Sequence, residues 1–207
     1  MLLEGKSDIE TALQRVGEIL ASAGQSYAIV IIGGAALNLL GLVERSTTDV
    51  DIVAFAGIGS DPPGGLFQPP EPLPEPLSRA AHLVARDMGL DPHWLNTGPS
   101  LQWRAGLPSG LEQRIHWRKF AGLTVGVVDR RDLILFKLFA AADSEGPGSV
   151  HYQDLLALQP TAEELDAAAA WVITQDASLA FAEVLARVLE CVRRDLVDDD
   201  TTAGPER

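Results

Sequence analysis

Two stretches, YAIVIIGG at residues 27–34 and RSTTDVDI at residues 45–52, decide the fold of this chain. The first is a run of apolar, largely β-branched residues that a glycine pair closes. Such a run predicts a buried strand over residues 27–32, a turn at the glycines and a short apolar helix over residues 35–43.

The second stretch alternates acidic with apolar residues and predicts a strand over residues 49–55. Residues two apart on a strand project from the same face, so Asp49 and Asp51 are expected side by side, with Val50 and Ile52 directed into the core. Two carboxylates held this close repel each other unless a cation lies between them. Magnesium, which prefers carboxylate oxygens and substrate phosphates, is the expected occupant.

The glycine pair Gly33-Gly34 predicts the complementary half of a site. A strand that ends in two glycines and turns directly into a helix lets the backbone approach a phosphate closely, and the N–H groups at the helix N-terminus favour the anion. Together the two stretches predict a site for a metal-bound triphosphate. The expected reaction is in-line attack of a hydroxyl on the α-phosphorus, with metal ions stabilising the attacking and leaving oxygens.

These motifs resemble the nucleotidyltransferase superfamily pattern, in which a hydrophobic-Gly-Gly/Ser turn precedes an acid-hydrophobic-acid strand. More narrowly, RSTTDVD (residues 45–51) resembles the minimal nucleotidyltransferases related to abortive-infection and tRNA-modifying toxins of bacteria, including an uncharacterised branch of that group. DLILFKL (residues 132–138) and HYQDLL (residues 151–156) resemble later motifs of the group. The similarity extends over about residues 28–171 and is poor over a proline-rich segment between the motifs.

The resemblance implies a role for each matching position. The expected nucleotide-binding residues are Gly33, Gly34, Arg45, Thr47 and Lys137. Because Arg45 directly precedes the acidic strand, the sequence leaves open whether it contacts a phosphate or pairs with Asp49. The implied catalytic residues are Asp49, Asp51, Lys137 and Asp154, of which Asp49 and Asp51 are the metal ligands. Because Lys137 lies in an otherwise apolar helix, either it meets a partner there or it extends along the helix to solvent, and the sequence leaves both readings open.

The resemblance and the order of elements predict an α/β (α+β) fold. The expected nucleotidyltransferase-like core spans residues 1–142, with a mixed sheet flanked by helices and a Pro/Gly-rich loop insertion at residues 57–77. A C-terminal helical region over residues 143–197 completes the site, and residues 198–207 are expected to be a disordered tail.

Further elements follow from periodicity and capping patterns. Helices are predicted over residues 7–23, 78–88, 132–142 and 152–158, from Thr161 onward with a capping box to Glu164, and after Asp176. Strands are predicted over residues 111–120 and 123–128.

The expected acceptor is a hydroxyl on RNA, including a tRNA 3′ end, or on a protein. The net charge of −13 argues against broad binding to nucleic acid, although a local basic face could receive a nucleotide or a short RNA. The basic residues of that region are Arg104, Arg114, Arg118, Lys119, Arg130, Arg131 and Lys137. The toxin-like resemblance implies an antitoxin partner, and the final helix would also suit a homodimer.

A cytoplasmic location is predicted, since the N-terminus has no signal-peptide pattern and Cys191 is the single cysteine. Residues 19–43 contain no charged residue, but their polar and glycine interruptions argue against a membrane span. Three tryptophans, Trp94, Trp103 and Trp117, suit base stacking, yet their wide spacing favours the core.

One departure from the superfamily leaves a second hypothesis open. A third carboxylate is usual on a later core strand, and this chain offers only Glu112 at the start of one predicted strand and Asp129 just past another. The alternative is therefore a catalytically weak or inactive binding module that acts through a protein partner. A dinucleotide-binding oxidoreductase is excluded, because no third glycine follows Gly33-Gly34 at the helix-packing position.

Overall fold

The computed structural model describes residues 2–58, 63–144 and 146–202, which form two compact units, Met1–Asp129 and Arg130–Arg207. The boundary lies before the helix that contains Lys137, whereas the sequence analysis placed it after residue 142. The reason is packing, because that helix makes its main helix contacts with the three helices that follow it.

The first unit combines helices with a mixed sheet. Its helices are α1 (Gly5–Ser22), α2 (Gly33–Leu40), α3 (Glu75–Met88) and α4 (Ser100–Ala105). Its strands are β1 (Leu3–Glu4), β2 (Tyr27–Ile32), β3 (Ser46–Thr47), β4 (Val50–Gly57), β5 (Gly64–Gln68), β6 (Leu95–Asn96), β7 (His116–Phe120) and β8 (Leu123–Val127). The helix predicted over residues 35–43 thus begins at the glycine pair itself and ends at Leu40.

The main sheet has the order β5-β4-β2-β8-β7, and β6 pairs with β4 beside this path. Strand β2 is antiparallel to β4 and parallel to β8, so the sheet is mixed. Residues 28–32 of β2 are all buried, as expected for a strand at the centre of a sheet. The predicted α+β fold with a mixed sheet flanked by helices is confirmed.

One edge of this sheet brings the two decisive stretches together, and we call it the site edge. Ile32, the last residue of β2, is opposite Asp51 near the start of β4. Asn96 of β6 is opposite Asp51 on the other side of β4. The site edge is therefore defined by long-range strand pairing between segments that are far apart in the sequence.

The second unit consists of α5 (Arg130–Asp143), α6 (Val150–Ala157), α7 (Ala162–Gln175) and α8 (Leu179–Thr202). The predicted capping box of α7 is confirmed, because the Thr161 side chain accepts from the Glu164 backbone N–H and the Glu164 side chain accepts from the Thr161 backbone N–H. Both contacts satisfy amide groups that a helix start otherwise leaves without partners.

Two predicted irregular segments contain regular structure. The Pro/Gly-rich loop at residues 57–77 includes β5, which pairs with β4, and the first turn of α3. Proline is tolerated in that turn because its missing N–H has no partner there anyway. The predicted tail from residue 198 continues as helix α8 to Thr202. Residues 59–62 and 203–207 of these two predictions lie outside the described residues.

Among the described helices, none combines the length with the apolar composition that a bilayer crossing requires.

Candidate functional site

Gly33 begins α2 at the site edge in a conformation that favours glycine. Its φ of +78° lies in the left-handed region. The carboxylate of Asp51 lies against its Cα, so a Cβ at this position would collide with Oδ2 of Asp51. Gly33 thus meets both a backbone and a space requirement, and it places the start of α2 against Asp51.

The missing side chain of Gly34 lets the guanidinium of Arg45 and the hydroxyl of Thr47 approach the backbone of α2 closely. A Cβ on Gly34 would lie 2.8 Å from Nη2 of Arg45 and 3.0 Å from Oγ1 of Thr47. The structure therefore brings the predicted nucleotide-binding residues Gly33, Gly34, Arg45 and Thr47 together at the first turn of α2.

The side chains of Asn38 and Thr47 make hydrogen bonds that connect α2, Arg45 and Asp49. Buried Asn38 donates to the Gly34 carbonyl at 3.0 Å and accepts from the Arg45 backbone N–H at 3.3 Å. Thr47, also buried, donates from its hydroxyl toward the Asp49 carbonyl at 3.3 Å and toward Asp49 Oδ1 at 3.4 Å. Through these contacts the segment before β4 is attached to α2 and to the first carboxylate.

The two predicted metal ligands are half-buried and follow the expected alternation. Val50 and Ile52 are fully buried, whereas Asp49 and Asp51 are partly accessible. Asp49 lies directly before β4 and only Asp51 lies on it, which corrects the prediction that both belong to the strand. The physical reason is that residues 48 and 49 complete the connection from β3 into β4.

Asn96 is a member of this site that the sequence analysis missed. Its Nδ2 donates to Asp51 Oδ1 at 3.2 Å. Its strand, β6, is two residues long, directly follows buried Trp94 and includes buried Leu95. No periodicity exists over two residues, and Asn96-Thr97-Gly98 by itself indicates only a turn. The signal that identifies Asn96 is its pairing with Asp51, which is a tertiary property.

The electrostatics of the site suit an anion that brings its own cation. The N-cap residue of α2, Ile32, makes no side-chain cap, and the backbone N–H groups of the first turn form the positive end of the helix. The guanidinium of Arg45 lies against the same turn. The N-terminus of α2, the Arg45 guanidinium and the carboxylates of Asp49 and Asp51 together match a phosphate with a bound divalent ion.

The carboxylates of Asp49 and Asp51 fit magnesium or manganese when a phosphate ligand completes the coordination of the ion. Within residues 2–58, 63–144 and 146–202, no group of three or more His, Cys, Asp or Glu side chains is arranged to hold a metal ion. Asp49 and Asp51 are the two carboxylates that this site offers. Magnesium is commonly held by one or two carboxylates, with substrate phosphates and water completing its octahedron. The pair therefore fits a cation that arrives with a triphosphate better than a permanently bound ion.

The other two predicted catalytic residues, Lys137 and Asp154, lie in the second unit and are paired with each other. Lys137 Nζ is 2.7 Å from Asp154 Oδ2, and their side chains are 4% and 2% exposed. Lys137 therefore meets a partner rather than extending to solvent, which decides between the two readings that the sequence left open. Their assignment to nucleotide binding and catalysis stays a prediction.

Ion pairs reduce the basic charge that the sequence concentrates between positions 104 and 137. Carboxylates neutralise at least four of the basic side chains there. The pairs are Arg104–Glu71 at 3.6 Å, Arg118–Glu10 at 2.7 Å, Arg130–Glu164 at 2.6 Å and Lys137–Asp154 at 2.7 Å. Several of these acids are distant in sequence, so charge counting along the chain could not reveal the neutralisation.

The remaining candidates take structural positions. Glu112 is exposed in a 3₁₀ turn rather than at a strand start, and Asp129 is paired with His116 at 2.9 Å. Trp94 is fully buried and donates from Nε1 to the Ala81 carbonyl at 3.0 Å, which confirms its predicted core role. Trp117 is half-buried and lies across Gly126.

Comparison with known proteins adds no assignment, since no protein family, curated protein or solved structure significantly matches this chain.

Proposed function

We propose that this chain is a Mg²⁺- or Mn²⁺-dependent nucleotidyltransferase that moves a nucleotidyl group from a nucleoside triphosphate to a hydroxyl acceptor. One observation supports this most directly. Six residues from two separate stretches meet at the site edge, namely Gly33, Gly34, Arg45, Thr47, Asp49 and Asp51. Backbone N–H groups, a guanidinium and paired carboxylates are the groups that phosphoryl chemistry requires.

Each side of the site has a distinct task in this proposal. The first turn of α2 and Arg45 bind and orient the phosphates, because both present N–H donors to an anion. Asp49 and Asp51 hold the divalent ion that accompanies the triphosphate. When bound, that ion supplies charge stabilisation for the attacking and leaving oxygens. Thr47 keeps Asp49 in position through its hydroxyl.

The acceptor is proposed to make a short contact with the protein. An extended RNA duplex would need several free basic side chains, and carboxylates already neutralise at least four in the region where the sequence concentrates them. A single-stranded 3′ end or a hydroxyl on a protein side chain requires fewer phosphate contacts, and both are consistent with the acidic net charge.

The test is transfer of label from each α-³²P nucleoside triphosphate to total RNA and to total protein in the presence of Mg²⁺ or Mn²⁺. Asp51→Asn keeps the shape of the side chain but removes its charge, and it should abolish labelling. The matched control is Asp87→Asn, the same change on an exposed position of α3, which should label like the wild type. Equal labelling by wild type and Asp51→Asn would contradict the proposal.

A second candidate is a nucleotide-binding module that acts through a protein partner. It is favoured by the neutral amide of Asn96 beside Asp51, because a two-metal site would gain from a carboxylate there. Thermal melting with Mg²⁺ and a triphosphate separates the two candidates. A melting shift that Asp51→Asn removes, without labelling of RNA or protein, would favour the module.

A further inference from the structure

Asn96 occupies the position next to the carboxylate pair. It is paired with Asp51 in the parallel register between β6 and β4, and its amide nitrogen is 3.2 Å from Asp51 Oδ1. A side chain at this position contacts the carboxylate directly. Its chemical nature therefore decides how much negative charge the site contains.

The orientation of the Asn96 amide is determined by its other contact. The backbone N–H of Gly98 donates to Asn96 Oδ1 at 2.7 Å. A backbone N–H can only face the amide oxygen, so the NH₂ group must face Asp51. The group beside Asp51 is thus a neutral donor, and the oxygen of Asn96 is engaged by the backbone.

This contact constrains Asp51 as a metal ligand. One carboxylate oxygen accepts from Asn96, and the other lies against the Cα of Gly33. Hydrogen bonding stabilises the ionised carboxylate and leaves lone pairs on both of its oxygens for a metal. Asp51 is therefore held in a defined orientation as a ligand.

We propose that Asn96 sets the metal requirement of this site. By orienting Asp51 and by keeping the charge at two carboxylates, Asn96 makes divalent-ion binding weak in the absence of nucleotide and strong when a triphosphate supplies further oxygens and charge. The physical basis is that affinity for a hard cation rises with the number of charged oxygen ligands. The claim about metal binding with a triphosphate rests on the proposed function. The claim about metal binding without nucleotide rests on the geometry of the site alone.

The decisive variant is Asn96→Asp, which places a third carboxylate beside Asp51. Mn²⁺ binding without nucleotide, measured by electron paramagnetic resonance, should tighten by about tenfold or more. The same variant should melt at a lower temperature than wild type without metal, because adjacent carboxylates repel, and Mn²⁺ should restore its melting temperature. The control is Gln113→Glu, the same amide-to-acid change on an exposed side chain, which should leave Mn²⁺ affinity unchanged.

A second variant keeps the test valid if Asn96→Asp does not fold. Asn96→Ala removes the donor without adding charge, so Mn²⁺ with tripolyphosphate, a probe that needs no base recognition, should bind several-fold more weakly as Asp51 loses its orientation. Folded Asn96→Asp with wild-type Mn²⁺ affinity would overturn the proposal, as would wild-type binding of Mn²⁺-tripolyphosphate by Asn96→Ala.

The two proposals fail in distinguishable ways. If wild type does not bind Mn²⁺-tripolyphosphate, the nucleotidyltransferase proposal loses its support. Mn²⁺ binding to Asn96→Asp without any phosphate still decides the role of Asn96, because that measurement needs no nucleotide. Tightening supports the role, and unchanged affinity overturns it.

Discussion

The site edge of the first unit and the Lys137–Asp154 pair of the second unit contain charged residues that the sequence had assigned to a single site. At the site edge the carboxylates remain partly accessible, and their contacts include Gly33, the Thr47 hydroxyl and the neutral amide of Asn96. In the second unit the cation and the acid are buried and 2.7 Å apart. The first arrangement leaves its carboxylates partly exposed, whereas the second encloses both charges.

Residue type and motif therefore do not reveal whether a charged side chain is exposed or buried in an ion pair. A buried ammonium is tolerated only when a counter-ion and hydrogen bonds compensate for lost hydration, so Lys137 requires Asp154 for structural reasons alone. A half-exposed aspartate has no such requirement. A ligand-binding role is therefore better supported at the site edge than at the Lys137–Asp154 pair.

The largest effect is expected from breaking the buried pair. Lys137→Met should lower the free energy of unfolding by about 3–5 kcal/mol, since it leaves the Asp154 carboxylate buried without its cation. The measurement is urea denaturation. Combining it with Asp154→Leu should recover most of the loss, because a buried ion pair can be replaced by apolar side chains.

The control for this prediction is Lys119→Met, the same change at an exposed lysine of β7. It should alter stability by no more than about 0.5 kcal/mol. A Lys137→Met variant as stable as Lys119→Met would contradict the view that the pair is primarily structural, and it would strengthen the predicted role of Lys137 as a phosphate-facing cation.

An intermediate effect is expected at the glycine that contacts Asp51. Gly33→Ala and Gly24→Ala both place alanine at positive φ, which costs about 1–2 kcal/mol. Only Gly33→Ala also meets a carboxylate, whereas a Cβ at Gly24 has open space around it. Gly33→Ala should therefore lose about 1–3 kcal/mol more, and it should lose binding of Mn²⁺-tripolyphosphate, which Gly24→Ala retains.

Equal losses of stability in these two variants would show that Asp51 moves freely away from Gly33. That outcome would contradict the view that the site edge is preorganised around Asp51.

The smallest effect is expected at a half-buried ion pair of the second unit. Glu164→Gln weakens the contact with Arg130 at 2.6 Å and part of the α7 capping box, and it should cost about 1–2 kcal/mol. Glu163→Gln, at the neighbouring exposed position, should be nearly neutral. Thermal melting of both variants is the measurement, and similar shifts would contradict the assignment.

The same pair predicts a pH dependence. The hydrogen bond from Arg130 is the main cause that lowers the pKa of Glu164 below its ordinary value of 4.5. A carboxyl with a lowered folded-state pKa stabilises the protein fully above its unfolded pKa and loses that contribution as pH falls through the folded pKa. Stability of Glu164→Gln should consequently fall less steeply than that of wild type below about pH 4.5.

Part of the fold followed from local sequence patterns. Strand β2 has the bounds that its apolar run predicted, and the capping box starts α7 where Thr161 and Glu164 indicated. These features depend on neighbours within a few residues, so periodicity and side-chain chemistry suffice to locate them. The placement of the glycine turn beside the acidic strand was anticipated from the two motifs taken together, although it depends on strand pairing between separate segments.

Other parts depend on contacts between distant segments. Strand β5 forms inside a Pro/Gly-rich segment because β4 offers it an edge. Arg118 reaches Glu10 across the unit, and Asn96 meets Asp51 only through the pairing of β6 with β4. No local pattern encodes these partners, since each contact requires the folded sheet.

By itself, the sequence predicted an α+β chain with a mixed sheet. It also located a glycine turn at the end of β2 and two acidic residues around the start of β4, because hydrophobic periodicity and backbone freedom act locally. Only the tertiary structure decided which charged side chains remain exposed. Burial and pairing, which depend on the positions of distant residues, enclose Lys137 with Asp154 and leave Asp49 and Asp51 accessible beside the neutral amide of Asn96.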